Sequence, residues 1–335
     1  MIENSMPTML IALIALAVIF DFLNGVHDSS NIVATVIFSR ALHPRIALIL
    51  AAISHFIAPF LFGVAVATTI GDELLNMSAI NMNVIMAGVV SAIIWNLLTW
   101  YFGIPSSSSH ALLGGLLGAA LIHSRSLEIV KVPGLTKIAI ALFLSPIAGL
   151  IIGFIVMKFT LFLVRSATPK VSTLFRRFQV VTLIGLSLSH GTNDAQKTMG
   201  LIAMGLLLSG QTSSFHIPIW VVTISAAAIG LGTSFGGWRL IRTLGAKIFR
   251  IRPIHGFTSQ IGGAIVILGA ALLGGPVSTT QVMSSTILGV GAAERINKVR
   301  WSILGDMALT WLITIPANAA IAALVYLGLN LYIAT

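Results

Sequence analysis

The chain has 335 residues, of which 57% are hydrophobic and only 8% charged, with a formal net charge of +10 and no cysteine. A soluble domain carries roughly a quarter charged residues, so a soluble enzyme is excluded, as are disulfides and thiolate metal sites. Lipid leaves the backbone only helices or closed barrels. The alternating ten-residue signature of barrel strands is absent, which predicts an all-α polytopic membrane protein.

The opening residues, MIENSMPT, lack the basic region that starts a cleaved signal peptide, so the first helix is expected to be retained. Its apolar segment, Met9 to Phe38, contains Asp21 and the polar patch NGVHDSSN, Asn24 to Asn31. Ile46 to Ile70 and Val84 to Phe102 follow, then the tract GIPSSSSHALLGG (Gly103 to Gly115), the segment Ala111 to Ile122, and Ile138 to Val164. A short basic connector leads to Val180 to Leu208, which carries HGTNDAQK (His190 to Lys197), and to Ile217 to Phe235 and Phe257 to Leu273. The tract GGPVSTTQ ends at Gln281, and Val282 to Ala293 and Trp301 to Ile333, with Asp306, complete the chain. About 20 residues cross the hydrocarbon core. Ala111 to Ile122 and Val282 to Ala293 have twelve each, too few to cross. They read as the return arms of re-entrant hairpins, giving about ten to twelve helical segments in all.

Charge orients this arrangement. With the short segments returning, 14 Lys and Arg fall on one side (Arg40 to Arg45, Arg165 to Arg177, Arg239 to Arg252, Arg295 to Arg300) and three on the other (Arg125, Lys131, Lys137). Basic loops stay cytoplasmic, so both termini are expected outside the cell. Treating the short segments as full spans would split the basic clusters between the two sides. The same bias accounts for the net charge without a nucleic-acid partner.

The sequence also repeats itself in order. NGVHDSSN parallels HGTNDAQK, pairing Asp28 with Asp194; VATTIG parallels RLIRTLG; and GIPSSSSHALLGGLLG parallels GGPVSTTQVMSSTILG, pairing Ser107 with Ser278, Ser108 with Thr279 and Ser109 with Thr280. By the charge count the first copy begins outside and the second inside. Residues 1–170, with a hairpin at about 84–122, and 171–335, with a hairpin at about 257–293, therefore read as two inverted-topology repeats. Inverted repeats with broken helices are the architecture of secondary transporters, which bind substrate near the midplane.

Each tract suits an anion. Pro105 and Pro276 stop one helix, a hydroxyl can cap the next, and the free amides and positive dipole end at that N-terminus favour negative charge. Ser106, Ser107, Ser108, Ser109, Ser278, Thr279, Thr280, Gln281 and Asn193 are the candidate anion ligands. An ionisable group inside a span is costly and points to function. Asp28 and Asp194, with His27, Asn31 and Asn24, are the candidates for cation or proton coupling, and for a metal ligand if a metal binds. The Asp-bearing segments are expected to be broken there. Lys197, His110, Asp21 and Asp306 are possible relay groups. His55, alone on an apolar helix, is expected to pack against a carbonyl.

The segments NGVHDSSNIVATVIFSRAL, WNLLTWYFGIPSSSSHALLGGLLGA, SHGTNDAQKTMG and GGPVSTTQVMSSTILGVG resemble the hallmark segments of the inorganic phosphate transporter (Pit) family in its bacterial low-affinity form, in order and over nearly the whole chain. The resemblance implies symport of inorganic phosphate across the cytoplasmic (inner) membrane by a homodimer, with no cofactor beyond a coupling cation. Many members carry Gly-x-Asn-Asp in both repeats. Here Gly191 to Asp194 keeps it, whereas His27 stands at the asparagine position of the first copy. That departure resembles members coupled to protons and taking up neutral metal–phosphate complexes, so protons are favoured over sodium and a divalent metal can accompany the substrate.

Three other readings compete. A sulfate permease and a channel fit the same scaffold. An intramembrane serine hydrolase would use Ser109 and His110, but adjacent helical residues point about 100° apart, and Gln281 replaces the base in the second tract.

Overall fold

The computed structural model describes residues 5–76, 80–247 and 249–334. Among these are twelve α-helices and no strand beyond one isolated bridge between Leu75 and Val130. Their order falls into two like series. The first is α1 (Ser5–Phe38), α2 (Pro44–Phe62), α3 (Ala65–Thr68) continued by a π-turn at Thr69–Glu73, α4 (Met82–Phe102), α5 (Ser108–Ser124) and α6 (Val132–Leu163). The second is α7 (Val171–Leu208), α8 (Ile219–Phe235), α9 (Trp238–Arg242) continued by a π-turn at Thr243–Lys247, α10 (Pro253–Leu272), α11 (Thr279–Arg295) and α12 (Trp301–Ala334).

Seven helices among the described residues are long and apolar enough to span a membrane: α1, α2, α4, α6, α7, α10 and α12. The pair α8 and α9, bent by 60°, makes an eighth. The chain is a multi-pass membrane protein. At 17 residues each, α5 and α11 reach only about 26 Å at 1.5 Å per residue, short of the roughly 30 Å core. Local chemistry sets their starts: Gly103 ends α4 at φ 68°, and proline forbids simple continuation in both hairpins.

The breaks lie elsewhere than the sequence suggested. Asp28 and Asp194 sit on α1 and α7, which run unbroken for 34 and 38 residues. Neither helix has a proline near its aspartate, Pro7 lying in the first turn of α1, and the polar residues are buried against other helices instead of unwinding their own. The span that breaks is α8/α9, at Gly236 (φ 74°), and the corresponding interruption between α2 and α3 falls at Gly63 (φ 78°). That left-handed geometry is open to glycine at little cost. The glycines beside the aspartates serve close packing: a Cβ at Gly25 would run into the Ile229 carbonyl on α8, and one at Gly191 would approach the His55 backbone on α2 to 2.9–3.0 Å.

Two apolar cores result. Leu10, Leu13 and Phe20 of α1 join α4, α5 and the C-terminal half of α7 (Met199 to Leu206) in one. Ile32 to Val36 of α1 join α10, α11 and the N-terminal half of α7 (Leu183, Leu186) in the other. Thus α1 and α7 pass through the cores in opposite order, and the hairpins belong to opposite cores. The polar residues of both helices fill the layer between. Packing also crosses over: α5 lies on α12, and α11 on α6.

Candidate functional site

The site begins with helical spacing. On α1, Asn24, Asp28 and Asn31 share a face, because residues four before and three after a helical position are its neighbours. His190, Asp194 and Lys197 repeat that spacing on α7. All six are buried, at 1% exposure or less.

The two hairpin tips close over these faces. Ser107 caps α5, accepting from the His110 amide at 3.1 Å, and Ser278 caps α11, accepting from the Gln281 amide at 3.3 Å. The next hydroxyl in each tip donates to the carboxylate of its own half: Ser108 to Asp28 Oδ2 at 3.4 Å, and Thr279 to Asp194 Oδ2 at 3.3 Å. The following hydroxyls depart from that symmetry. Thr280 crosses over to Asp28 Oδ1 at 3.0 Å and accepts from Asn31 Nδ2 at 3.0 Å, whereas Ser109 donates to the Val277 carbonyl at 2.8 Å. Each tip therefore touches the other half, and first-turn hydroxyls of two helices meet a pair of carboxylates.

Around Asp28, Asn31 Nδ2 also donates to Oδ1 at 3.0 Å, and His27 Nδ1 lies 3.2 Å away. Ser106 donates to Thr99 Oγ1 at 2.9 Å, and that hydroxyl lies 3.4 Å from His27 Nε2. Around Asp194, Lys197 Nζ pairs with Oδ1 and His190 Nδ1 lies 2.7 Å from Oδ2. Asn193 Nδ2 donates to the Gly275 carbonyl at 3.2 Å. Asp28, His190 and Asp194 each offer an atom such that all three lie within 4.8 Å of one another. Several buried oxygens have no hydrogen-bond partner, among them Asn24 Oδ1, Asn31 Oδ1 and Asn193 Oδ1. Buried polar atoms are nearly always satisfied, so these are candidate ligand atoms for a cation or a substrate hydroxyl.

The remaining candidates are distributed around this centre. Asp21 is buried in the same layer, within electrostatic reach of Asp194 and Lys197. His110 and Gln281 line a cavity of about 150 Å³ with Leu142, Phe143 and Trp311. The Asp306 side chain lies outside the described residues. His55, expected against a carbonyl, instead stacks on His190 with ring centroids 5.2 Å apart, and its Nδ1 lies 2.7 Å from Thr233 Oγ1. Thr99 and Gln196 also take part, although neither stands among the candidate ligands above. Gln196 Oε1 accepts from the Val66 and Ala67 amides at the start of α3, at 2.7 and 3.1 Å, so α7 itself caps the helix after that interruption. Gln196 stands within the repeated motif, which was its available signal; Thr99 had none.

The Ser109–His110 pair that a serine hydrolase would use is not assembled. Ser109 Oγ is committed to Val277, and His110 Nδ1 lies 2.6 Å from Ser107 Oγ, the capping hydroxyl.

Known proteins bear on this constellation. A profile described as the phosphate transporter family matches residues 24–322. Probable low-affinity inorganic phosphate transporters of Rhizobium meliloti and Bacillus subtilis are 46% and 45% identical, over 96% and 97% of this chain and 97% of each relative. A solved structure, the sodium-dependent phosphate transporter, superposes with a TM-score of 0.87 over 97% of this chain and 99% of that one, at 24% identity.

Proposed function

The chain belongs to the phosphate transporter family, whose members are transporters and not enzymes, and we propose that it imports inorganic phosphate by cation symport, with protons favoured over sodium. The observation that carries this reading is the convergence of two capped helix N-termini on two buried carboxylates. Amides and hydroxyls of the tips (Ser106 to Ser109, and Ser278 to Thr280) bind phosphate oxygens, since an oxyanion favours several short, charge-assisted donors. A protonated phosphate oxygen can donate in return to Asp28. Sulfate has no proton at neutral pH and would be repelled there. The coupling cation neutralises Asp28, with Asn24 and Asn31 supplying neutral oxygens, and a divalent metal can travel with the substrate.

The halves 1–170 and 171–335 act as inverted repeats, and rocking one repeat-derived bundle against the other would expose the midplane site to each side in turn. The opposite passage of α1 and α7 through the two cores supports this. We further propose residence in the cytoplasmic membrane, both termini outside, as a homodimer. Labelled-phosphate uptake into proteoliposomes, under separately imposed proton and sodium gradients with and without magnesium, tests the reading. Saturable, gradient-driven accumulation is expected; flux that rises linearly with phosphate and ignores both gradients would indicate a channel.

A further inference from the structure

We propose that Lys197 is a tethered coupling cation: at Asp194 it holds the position that a mobile cation takes at Asp28. Only one of the two repeat-related carboxylates then exchanges its counter-charge during transport. This rests on the symport reading above.

The repeat supplies a comparison within one chain. Asn24, Asp28 and Asn31 correspond to His190, Asp194 and Lys197. In the first triplet the carboxylate is flanked by two neutral amides, with Asn24 Oδ1 and Asn31 Oδ1 lacking a partner; the nitrogen base nearest it, His27 Nδ1 at 3.2 Å, stands outside the triplet and has no lysine beside it among the described residues. Unpaired carbonyl oxygens beside a buried carboxylate are the ligand set of a small hard cation, or the acceptors for a proton carrier. In the second triplet both flanking positions carry nitrogen bases. Lys197 Nζ lies on Asp194 Oδ1 and His190 Nδ1 lies 2.7 Å from Oδ2, with all three side chains fully buried. Both oxygens of Asp194 are thus engaged, and Thr279 adds a further donor.

Energetics make the two compensations exclusive. A buried ion deprived of its partner costs several kcal/mol, so Lys197 cannot readily leave Asp194 without another positive charge taking its place. A mobile cation at Asp194 would meet the ammonium at contact distance. Asp21, the other acid in reach, corresponds to Ser187 in the repeat and is not in direct contact with Lys197.

Lys197 as a direct phosphate ligand fits less well. Its ammonium is aimed at a carboxylate, and the cavity it borders with Ser109 and Pro276 is about 20 Å³. That holds about one water, not a phosphate.

The test replaces Lys197 by the residue its own repeat mate carries. In proteoliposomes, the initial rate of labelled-phosphate uptake is measured against sodium at fixed pH and against pH at fixed sodium. The wild type should respond to its activating cation with a Hill coefficient of about one, and Lys197→Asn with about two, since binding two linked cations steepens the response. The variant's half-saturating cation concentration should also rise. An unchanged coefficient in Lys197→Asn, or about two in the wild type, would overturn the proposal. Should the variant fail to elute as a folded species, purification in high sodium or at lowered pH is expected to rescue it by filling the vacated position. Failure of that rescue would equally overturn it. Absence of saturable uptake in the wild type would instead refute the transport reading, so the two failures are distinguishable.

Discussion

Replacing Asp28 by asparagine removes one charge while keeping the side chain's shape. Asp28 Oδ1 accepts from Thr280 and Asn31 at 3.0 Å, and Oδ2 accepts from Ser108 at 3.4 Å. An asparagine can keep its oxygen toward the first two and turn its amide toward the Ser108 hydroxyl, which can accept. The fold should therefore survive, at a cost of about 1–2 kcal/mol, the difference between charge-assisted and neutral hydrogen bonds. Cation binding should not survive. A unit charge about 4 Å from the carboxylate gains about 4 kcal/mol at an effective dielectric constant of about 20. At 1.36 kcal/mol per decade this is about a thousandfold in cation affinity. We predict that Asp28→Asn elutes as a folded protein with a modestly lowered melting temperature, yet accumulates less than a tenth of wild-type labelled phosphate under an imposed gradient. Concentrative uptake above that level in the folded variant would refute Asp28 as the coupling carboxylate.

Other outcomes follow from the same geometry. Ser107→Ala and Ser278→Ala each remove an N-cap at a tip, and each should cost about 1 kcal/mol of stability, with a several-fold rise in the phosphate KM; an unchanged KM in both would count against the tips as ligands. Gly25→Ala drives a Cβ into the Ile229 carbonyl, so α1 and α8 must separate, and the yield of folded protein in detergent should fall sharply although no site residue is touched. Tenfold excess sulfate should leave more than half of labelled-phosphate uptake; effective competition would argue that no carboxylate reads the substrate proton.

Much of this was legible in the chain. Segment lengths and loop charges located the helices and singled out α5 and α11 as too short, and the paired tracts marked the tips before any contact was known. The breaks were not legible. Polar residues at Asp28 and Asp194 look disruptive within an apolar helix, but here they are buried beneath the two hairpin tips, a tertiary fact that no local pattern records. The real breaks occur in apolar stretches at Gly63 and Gly236, one glycine among many, and are completed by Gln196 reaching from another helix. The ion pair of Lys197 with Asp194 was readable from its three-residue spacing. The stacking of His55 on His190 was not, since 135 residues separate them.

The exchange of packing partners, α5 on α12 and α11 on α6, bears on how the chain is made. When α5 emerges from the ribosome its partner is still about 180 residues from synthesis, so the first hairpin must wait in the bilayer with its seat empty. Closing such distant contacts late is slow, and an exposed intermediate is prone to misassembly. Halves split between α6 and α7 and expressed separately should each be degraded, yet assemble when made together. Maturation of this protein is thus gated by its last helix, and truncation near the C-terminus should be felt first at the hairpin nearest the N-terminus.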